Sequence, residues 1–306
     1  MNVAIIGGTG FVGAYIVQAL ERDGHAVSLL VRPGSEAKIP PGEHFRVVTG
    51  DVSSADALDA ALSDCDAVIY CVGILRAFPR EGVTFEALQY EGVVRTVESA
   101  IRCGVDRFLL MSANGVKVPG TAYQETKKRA EEVVFGSELD ATVFRPSVIF
   151  GDPVGRMEFA TQLCRDMVRT PVPAVGFFSG VSPERGSVRM SPVHVEDVAQ
   201  AFVAALTRPE TVGQVYELGG PDVLSWNDMI RFIADAIGRR KWIVPMPIGL
   251  MKVGAFLLDW LPFFPVTRDQ LTMLAEGNVA SSDNVESLIG RRATPFEPAS
   301  LAYLRD

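Results

Sequence analysis

Histidine and cysteine are scarce in this 306-residue chain, which has three of one and four of the other. His25, His44 and His194 lie far apart, and Cys65, Cys71, Cys103 and Cys164 form no C-x-x-C pair. That scarcity argues against a zinc centre, so no metal site is expected, and it leaves the cysteines as free thiols of a reducing compartment. An excess of positive charge is also missing: 29 Lys and Arg face 37 Asp and Glu, a formal net charge of −8. Nucleic acid is thereby disfavoured as a partner, because binding a phosphate backbone needs a basic field. No uncharged apolar run reaches the roughly 18 residues of a membrane span. The opening "MNVAIIGGTG" has no basic region ahead of a long apolar run, so no secretory signal is expected either. The expectation is a cytoplasmic protein without internal repeats.

What the chain does have is a rhythm. Short β-branched and apolar runs, "NVAIIGG", "HAVSLLVR", "FRVVTGD", "DAVIYCVG", "DRFLLMSA" and "ATVFRPSVIFG", read as strands. Between them, "FVGAYIVQALERDG", "SADALDAALSD", "FEALQYEGVVRTVESAIRCG" and "TAYQETKKRAEE" read as helices, the first stopping at Gly24 as a C′ residue. Strands alternating with helices predict an α/β fold, a doubly wound parallel sheet of Rossmann type over residues 1–150. After residue 150 proline and glycine gather. Residues 151–306 are expected to form mainly a small C-terminal α/β cap, with a strand and helix around 190–206 returning to the first domain. Ser225 is a helix N-cap in this reading.

"GGTGFVG" sets Gly7, Gly10 and Gly13 between the first strand and the first helix. Glycines there let the backbone approach a pyrophosphate, and the helix start offers N–H donors with a partial positive charge. Gly7, Thr9, Gly10, Phe11, Val12 and Gly13 are therefore candidate dinucleotide-binding residues. The second strand ends in Arg32 where an NAD binder would carry an acid, which favours a 2′-phosphate and NADP(H) over NAD(H). Asp51, followed by Val52, either accepts from the adenine amino group or caps the next helix. Gly73 permits close backbone approach to a cofactor.

Tyr123 and Lys127 stand four apart on one helical face. With the motifs "GGTGFVG", "GDV", "RFLLMSA", "YQETK", "FRPSVIFG" and "VHVEDVA" in this order, the chain resembles the extended, atypical branch of the short-chain dehydrogenase/reductase superfamily over nearly its full length. "YELGGPDVLSWNDM", "VPMP" and "LPFFPVTRDQLTML" look most like the nucleotide-binding accessory subunit of respiratory complex I and its free-standing bacterial relatives, which are linked to quinone metabolism. The resemblance implies that Tyr123 exchanges a proton with substrate and that Lys127 binds the nicotinamide ribose and lowers the tyrosine pKa. It also implies that Pro146 and Ser147 line the nicotinamide pocket. Ser112, a candidate catalytic or cofactor-side hydroxyl, departs from the pattern by falling one or two positions before the expected place, at Ala113 or Asn114. The chain departs again at Gln89, which replaces an asparagine ahead of Gly92.

Three functions are consistent with these residues. The first is an NADPH-dependent oxidoreductase or isomerase acting on a small hydrophobic, quinone-related molecule. The second is a non-catalytic module that holds NADPH and docks to a membrane or quinone-synthesis complex. The third is a sugar-nucleotide epimerase. Arg156, Arg185 and Arg189 either meet an anionic substrate group or make surface salt bridges. The apolar stretch 247–264, with Lys252 and Asp259 on one narrow stripe, is expected to be a helix serving as a substrate-pocket lip or a shallow membrane contact, with oligomeric state left open.

Overall fold

A computed structural model describes residues 1–42, 45–179, 186–249 and 268–305. His44, Arg185 and the apolar stretch from residue 250 onward, with Lys252, Phe256, Asp259 and Trp260, lie outside the described residues.

Each of the short apolar runs becomes a parallel strand: β1 (Asn2–Ile6), β2 (Ala26–Val31), β3 (Phe45–Thr49), β4 (Ala67–Tyr70), β5 (Arg107–Met111) and β6 (Asp140–Pro146). The helices between them are α1 (Phe11–Arg22), α2 (Ala55–Leu62), α3 (Gly92–Cys103) and α4 (Ala122–Phe135). β1 lies between β2 and β4, pairing Ile6 with both Leu30 and Tyr70. The strand order therefore reverses beside β1, which is where a doubly wound sheet leaves a crevice at its carboxyl edge. Val3, Ile5, Leu29, Val68, Ile69 and Phe108 are fully or almost fully buried, as expected for a sheet covered on both faces.

Three elements differ from the sequence expectation. The sixth run breaks: β6 ends at Pro146, and Ile149–Phe150 forms a separate strand, β7. The helix expected over 85–104 opens with a π-helical turn, Glu86–Glu91. Its cause is Tyr70, whose hydroxyl donates to the Leu88 carbonyl that an α-helix would offer to Gly92 N. At Gly92 a Cβ would lie 2.2 Å from that hydroxyl oxygen, so only glycine fits. The segment "GQVYELGG", within the residues 151–306 expected to form mainly the cap, is a strand that extends the main sheet, as described below.

The chain divides into two units. The first comprises Met1–Pro146, Val195–Leu218 and Asn284–Arg291. The second comprises Ser147–His194, Gly219–Asp283 and Arg292–Asp306. In the second unit, β7 pairs in parallel with β10 (Val193–His194), β8 (Ala174–Phe178) with β13 (Ile243–Pro247), and β9 (Arg189–Met190) runs antiparallel to β12 (Leu224–Ser225). They surround a core that includes Phe150, Phe177, Met229, Ile230, Ile233 and Phe296. The helix α5 (Phe159–Leu163) continues into a π-helical turn, Cys164–Val168. In the first unit α6 (Val195–Leu206) packs on α1, and β11 (Gln214–Leu218) adds a seventh parallel strand beside β6. Helix α7 (Trp226–Ala236) starts at Ser225, whose hydroxyl accepts from Asp228 N as an N-cap. Among the described residues no helix is long and apolar enough to cross a membrane. All four cysteines are free.

Candidate functional site

The turn out of β1 and the start of α1 rest on glycines at positions hostile to a side chain. Gly7 has φ +102°, and a Cβ on it would lie 3.0 Å from Val72 N. On Gly13 a Cβ would lie 2.2 Å from Gly7 O, so the helix can seat on the loop only through glycine. Gly10 N donates to Gly7 O at 3.0 Å and closes the turn. Gly10 caps α1 without a side-chain hydrogen bond, and no acidic residue occupies the first turn. A bare backbone cradle at a helix start, without a competing carboxylate, fits the pyrophosphate of a dinucleotide. Thr9, Phe11 and Val12 are half-buried around it, with the Phe11 ring edge-on to Tyr15.

Arg32 follows β2 at the same carboxyl edge and is exposed. Asp51 follows β3, and Oδ1 accepts from Ser53 N at 2.7 Å. Asp51 is therefore not the cap of α2; Ser54 is, accepting from Ala57 N. Its carboxyl is held below the usual range by hydrogen bonds from Ser53, with smaller help from the positive charges of Arg32 and Arg95. The Val52 side chain is buried in the sheet's apolar core, leaving only its backbone for a ligand. Gly73, after β4, has its missing Cβ position 3.9 Å from Lys127 Nζ.

Tyr123 and Lys127 share the first two turns of α4, but that helix is not the exposed one its charges suggest. Gln124, Thr126, Lys127, Ala130, Glu131 and Val134 are buried. Thr121 begins the helix with a capping box, exchanging hydrogen bonds with Gln124. Lys127 Nζ donates to Met111 O at 2.9 Å and lies 5.8 Å from the Tyr123 ring centre. Burial pushes Lys127 down to about 8. Burial also pushes the Tyr123 phenol above its ordinary value. The direction is opposite to the expected lowering, and removal from water is its cause. Ser112 Oγ is buried without a hydrogen-bond partner. It lines, with Tyr70, Val72, Gln89, Met111 and Lys127, a space too narrow for a water molecule.

Sequence reasoning noted Gln89 as a departure and missed what it does. Its Nε2 donates to Ile74 O at 2.9 Å, and its Oε1 accepts from Thr126 Oγ1 at 3.1 Å. The loop after Gly73 is thereby tied to the Tyr–Lys helix at its start. At its end the Phe85 ring meets the Tyr123 ring edge-on at 5.9 Å. Between those anchors Leu75 and Phe78 are exposed at 62% and 47%, and Val118, just ahead of α4, at 60%. The signal for this arrangement was the pair Thr126–Lys127, one residue for the loop and one for the edge of the sheet.

The remaining candidates fall elsewhere. Pro146 ends β6 in the first unit, its carbonyl accepting from Asn114 N at 2.9 Å. Ser147 opens the second unit, where its hydroxyl donates to Asn278 O at 2.9 Å. Arg156 is half-buried in a turn and Arg189 exposed on β9. Among the described residues no group of three or more His, Cys, Asp or Glu is placed to hold a metal ion.

Comparison with known proteins follows the same lines. The profile of a family described as NAD(P)H-binding matches residues 7–169. A ceramide reductase of Caulobacter vibrioides is 30% identical over 266 residues, covering 84% of this chain and 78% of the relative. Subunit 9 of the mitochondrial NADH dehydrogenase (ubiquinone) 1 alpha subcomplex of Arabidopsis thaliana is 26% identical, covering 97% and 73%. Among solved structures, MoeE5 in complex with UDP-glucose and NAD superimposes with a TM-score of 0.73 at 18% identity, covering 100% of this chain and 97% of that one. At that identity the likeness is one of fold.

Proposed function

This chain belongs to the NAD(P)H-binding family, within the extended short-chain dehydrogenase/reductase superfamily, and from that premise we propose that it is an NADPH-dependent reductase of a small lipophilic carbonyl or quinone-like compound. The observation that carries the reading is the placement of Tyr123 and Lys127. Lys127 sits beside Gly73 at the carboxyl edge of the sheet, and the Tyr123 ring lies against the loop that follows Gly73. The glycine cradle would hold the pyrophosphate, and Arg32, with no acid in its place, would face a ribose 2′-phosphate. A bound nicotinamide supplies hydride chemistry.

The chain's own groups would do the rest. Tyr123 would hold the proton destined for the substrate oxygen, its burial keeping the phenol protonated at neutral pH. Lys127, anchored on Met111 O, would present its remaining N–H donors toward the ribose side of Gly73. The exposed Leu75, Phe78 and Val118 support a lipophilic substrate over a sugar nucleotide. The relative named ceramide reductase supports the same choice.

The test is purified protein, NADPH, and a panel of lipophilic quinones, enones and ketones. NADPH absorbance should fall with at least one of them, and Tyr123→Phe should remove that turnover while NADPH still binds. A bound cofactor that stays reduced across the panel overturns the proposal. That outcome favours the second reading, a non-catalytic NADPH holder, for which the buried, partnerless Ser112 hydroxyl is the supporting observation.

A further inference from the structure

Trp242 is the most exposed large apolar side chain described, at 82%. It is not a frayed terminus: its carbonyl accepts from Ala174 N at 2.8 Å, and the next residue, Ile243, pairs with Ala174 and packs into the second unit's core. Two residues on, Val244 is exposed at 48%, and the lead-in to β8 carries Val172, exposed at 61% between the exposed Pro171 and Pro173. Strand pairing therefore holds the backbone of Trp242 beside the start of β8, with its indole exposed at the edge of this apolar segment.

Cations flank this segment in sequence. Arg239 and Arg240 are exposed, and Lys241 is half-buried. Arg239 donates to Arg169 O at 3.3 Å, and Lys241 to Val168 O at 3.2 Å, Thr170 O at 2.5 Å and Thr170 Oγ1 at 3.3 Å. Two more arginines nearby are held the same way. Arg169 donates to Leu304 O at 2.7 Å and Arg305 to Ala236 O at 2.7 Å. These carbonyls belong to the ends of the turn Cys164–Val168, of α7 and of the last helical turn, Ala302–Arg305, where helix dipoles favour cations. None of the five cations is in a salt bridge among the described residues. Lys241 is lowered first by burial and then by its like-charged neighbour Arg239, as expected where positive charge accumulates. A chain of net charge −8 thus carries, among the described residues, a group of cations outside any salt bridge in the same unit as the exposed Trp242.

We propose that this face of the second unit, Trp242 with Val172, Val244, Arg169, Arg239 and Arg240, is a peripheral binding surface for anionic lipid bilayers. An indole with small apolar neighbours suits the headgroup–acyl boundary, and cations beside it are drawn by the negative surface potential. The surface differs from the 247–264 stretch considered from sequence, and it does not depend on how the Tyr123 site is read.

The test is flotation of the full chain with phosphatidylcholine vesicles and with vesicles that also contain phosphatidylglycerol. The protein should float with the second and stay behind with the first, and added salt should weaken the association. Arg240→Glu and Trp242→Ser alter exposed side chains and should each lower partitioning by at least about tenfold, with the thermal midpoint unchanged. A wild-type protein left behind by anionic vesicles overturns the proposal, as does equal flotation of both variants. Binding to an RNA homopolymer or an acidic polypeptide in place of vesicles overturns it too, and identifies the surface as a different kind of anion site.

Discussion

Lys127 keeps an ammonium where charge is disfavoured, and its protonation links the site to stability. Burial lowers its pKa from the ordinary 10.5 to about 8. Between those values the unfolded chain binds a proton that the folded chain has released, so stability should rise with pH across this window. Below about pH 8 both states are protonated, and the burial penalty is present in full. Replacing the group should remove the effect: in denaturant titrations, wild type should gain on Lys127→Met as pH rises from about 8 toward 10.5. A wild-type-minus-variant difference that stays flat across that window would show that water reaches the ammonium. Arg32 offers a second test at this scale, made on binding alone. Arg32→Glu should shift preference from NADPH toward NADH by removing a 2′-phosphate partner and placing a like charge there. Calorimetry that finds wild type binding NADH more tightly than NADPH sinks the assignment.

At the scale of elements, the loop and first helix form one object because Gly13 has no Cβ. Gly13→Ala should destabilise the fold by roughly 1–3 kcal/mol, the usual cost of overpacking, since the neighbour it meets is backbone. Nucleotide affinity should fall with it, as α1 is pushed off the cradle. A variant of unchanged stability and affinity by calorimetry would mean that the loop yields. Strands β1 to β5 and the glycine turn were legible in the sequence, because a buried parallel sheet demands continuous β-branched runs and its turns demand glycine. The capping box at Thr121–Gln124 was equally legible, as a Thr-x-x-Gln signature. The π-helical turn was not legible: it depends on Tyr70, a strand residue distant in sequence, taking the Leu88 carbonyl. The break of β6 at Pro146 was hidden because "SVIFG" continues the apolar run while pairing with Val193 and His194 instead. Tyr123 and Lys127 were visible as a spacing; their burial, which decides the sign of both pKa shifts, was not.

At the scale of the whole molecule the chain leaves the first unit at Pro146, returns at Val195, leaves again at Leu218, and comes back for the eight residues Asn284–Arg291. A return around 190–206 was expected and begins at Val195, but sequence periodicity reports local elements, so the unit that β11 joins and this last return were not legible. Charge, hydrogen bonds and packing all meet at this return. Arg291 donates to Asp197 Oδ1 at 2.5 Å and to Gln200 Oε1 at 3.1 Å, and the Asp197 side chain is fully buried on α6, the helix that packs on α1. Removing one partner of such a pair leaves a buried carboxylate without its cation, which typically costs about 3–5 kcal/mol. Arg291 is 43% exposed and water can partly replace it, so Arg291→Met should cost less, about 2 kcal/mol. Asp197→Asn in the Arg291→Met background should then be nearly neutral, whereas Asp197→Asn alone strips the arginine of its anion and should destabilise on its own. A double-mutant cycle by denaturant unfolding would measure that coupling. Additive losses in the cycle would mean that the last return is held by the packing of Val285 and Leu288, both buried, and that the ion pair only follows it.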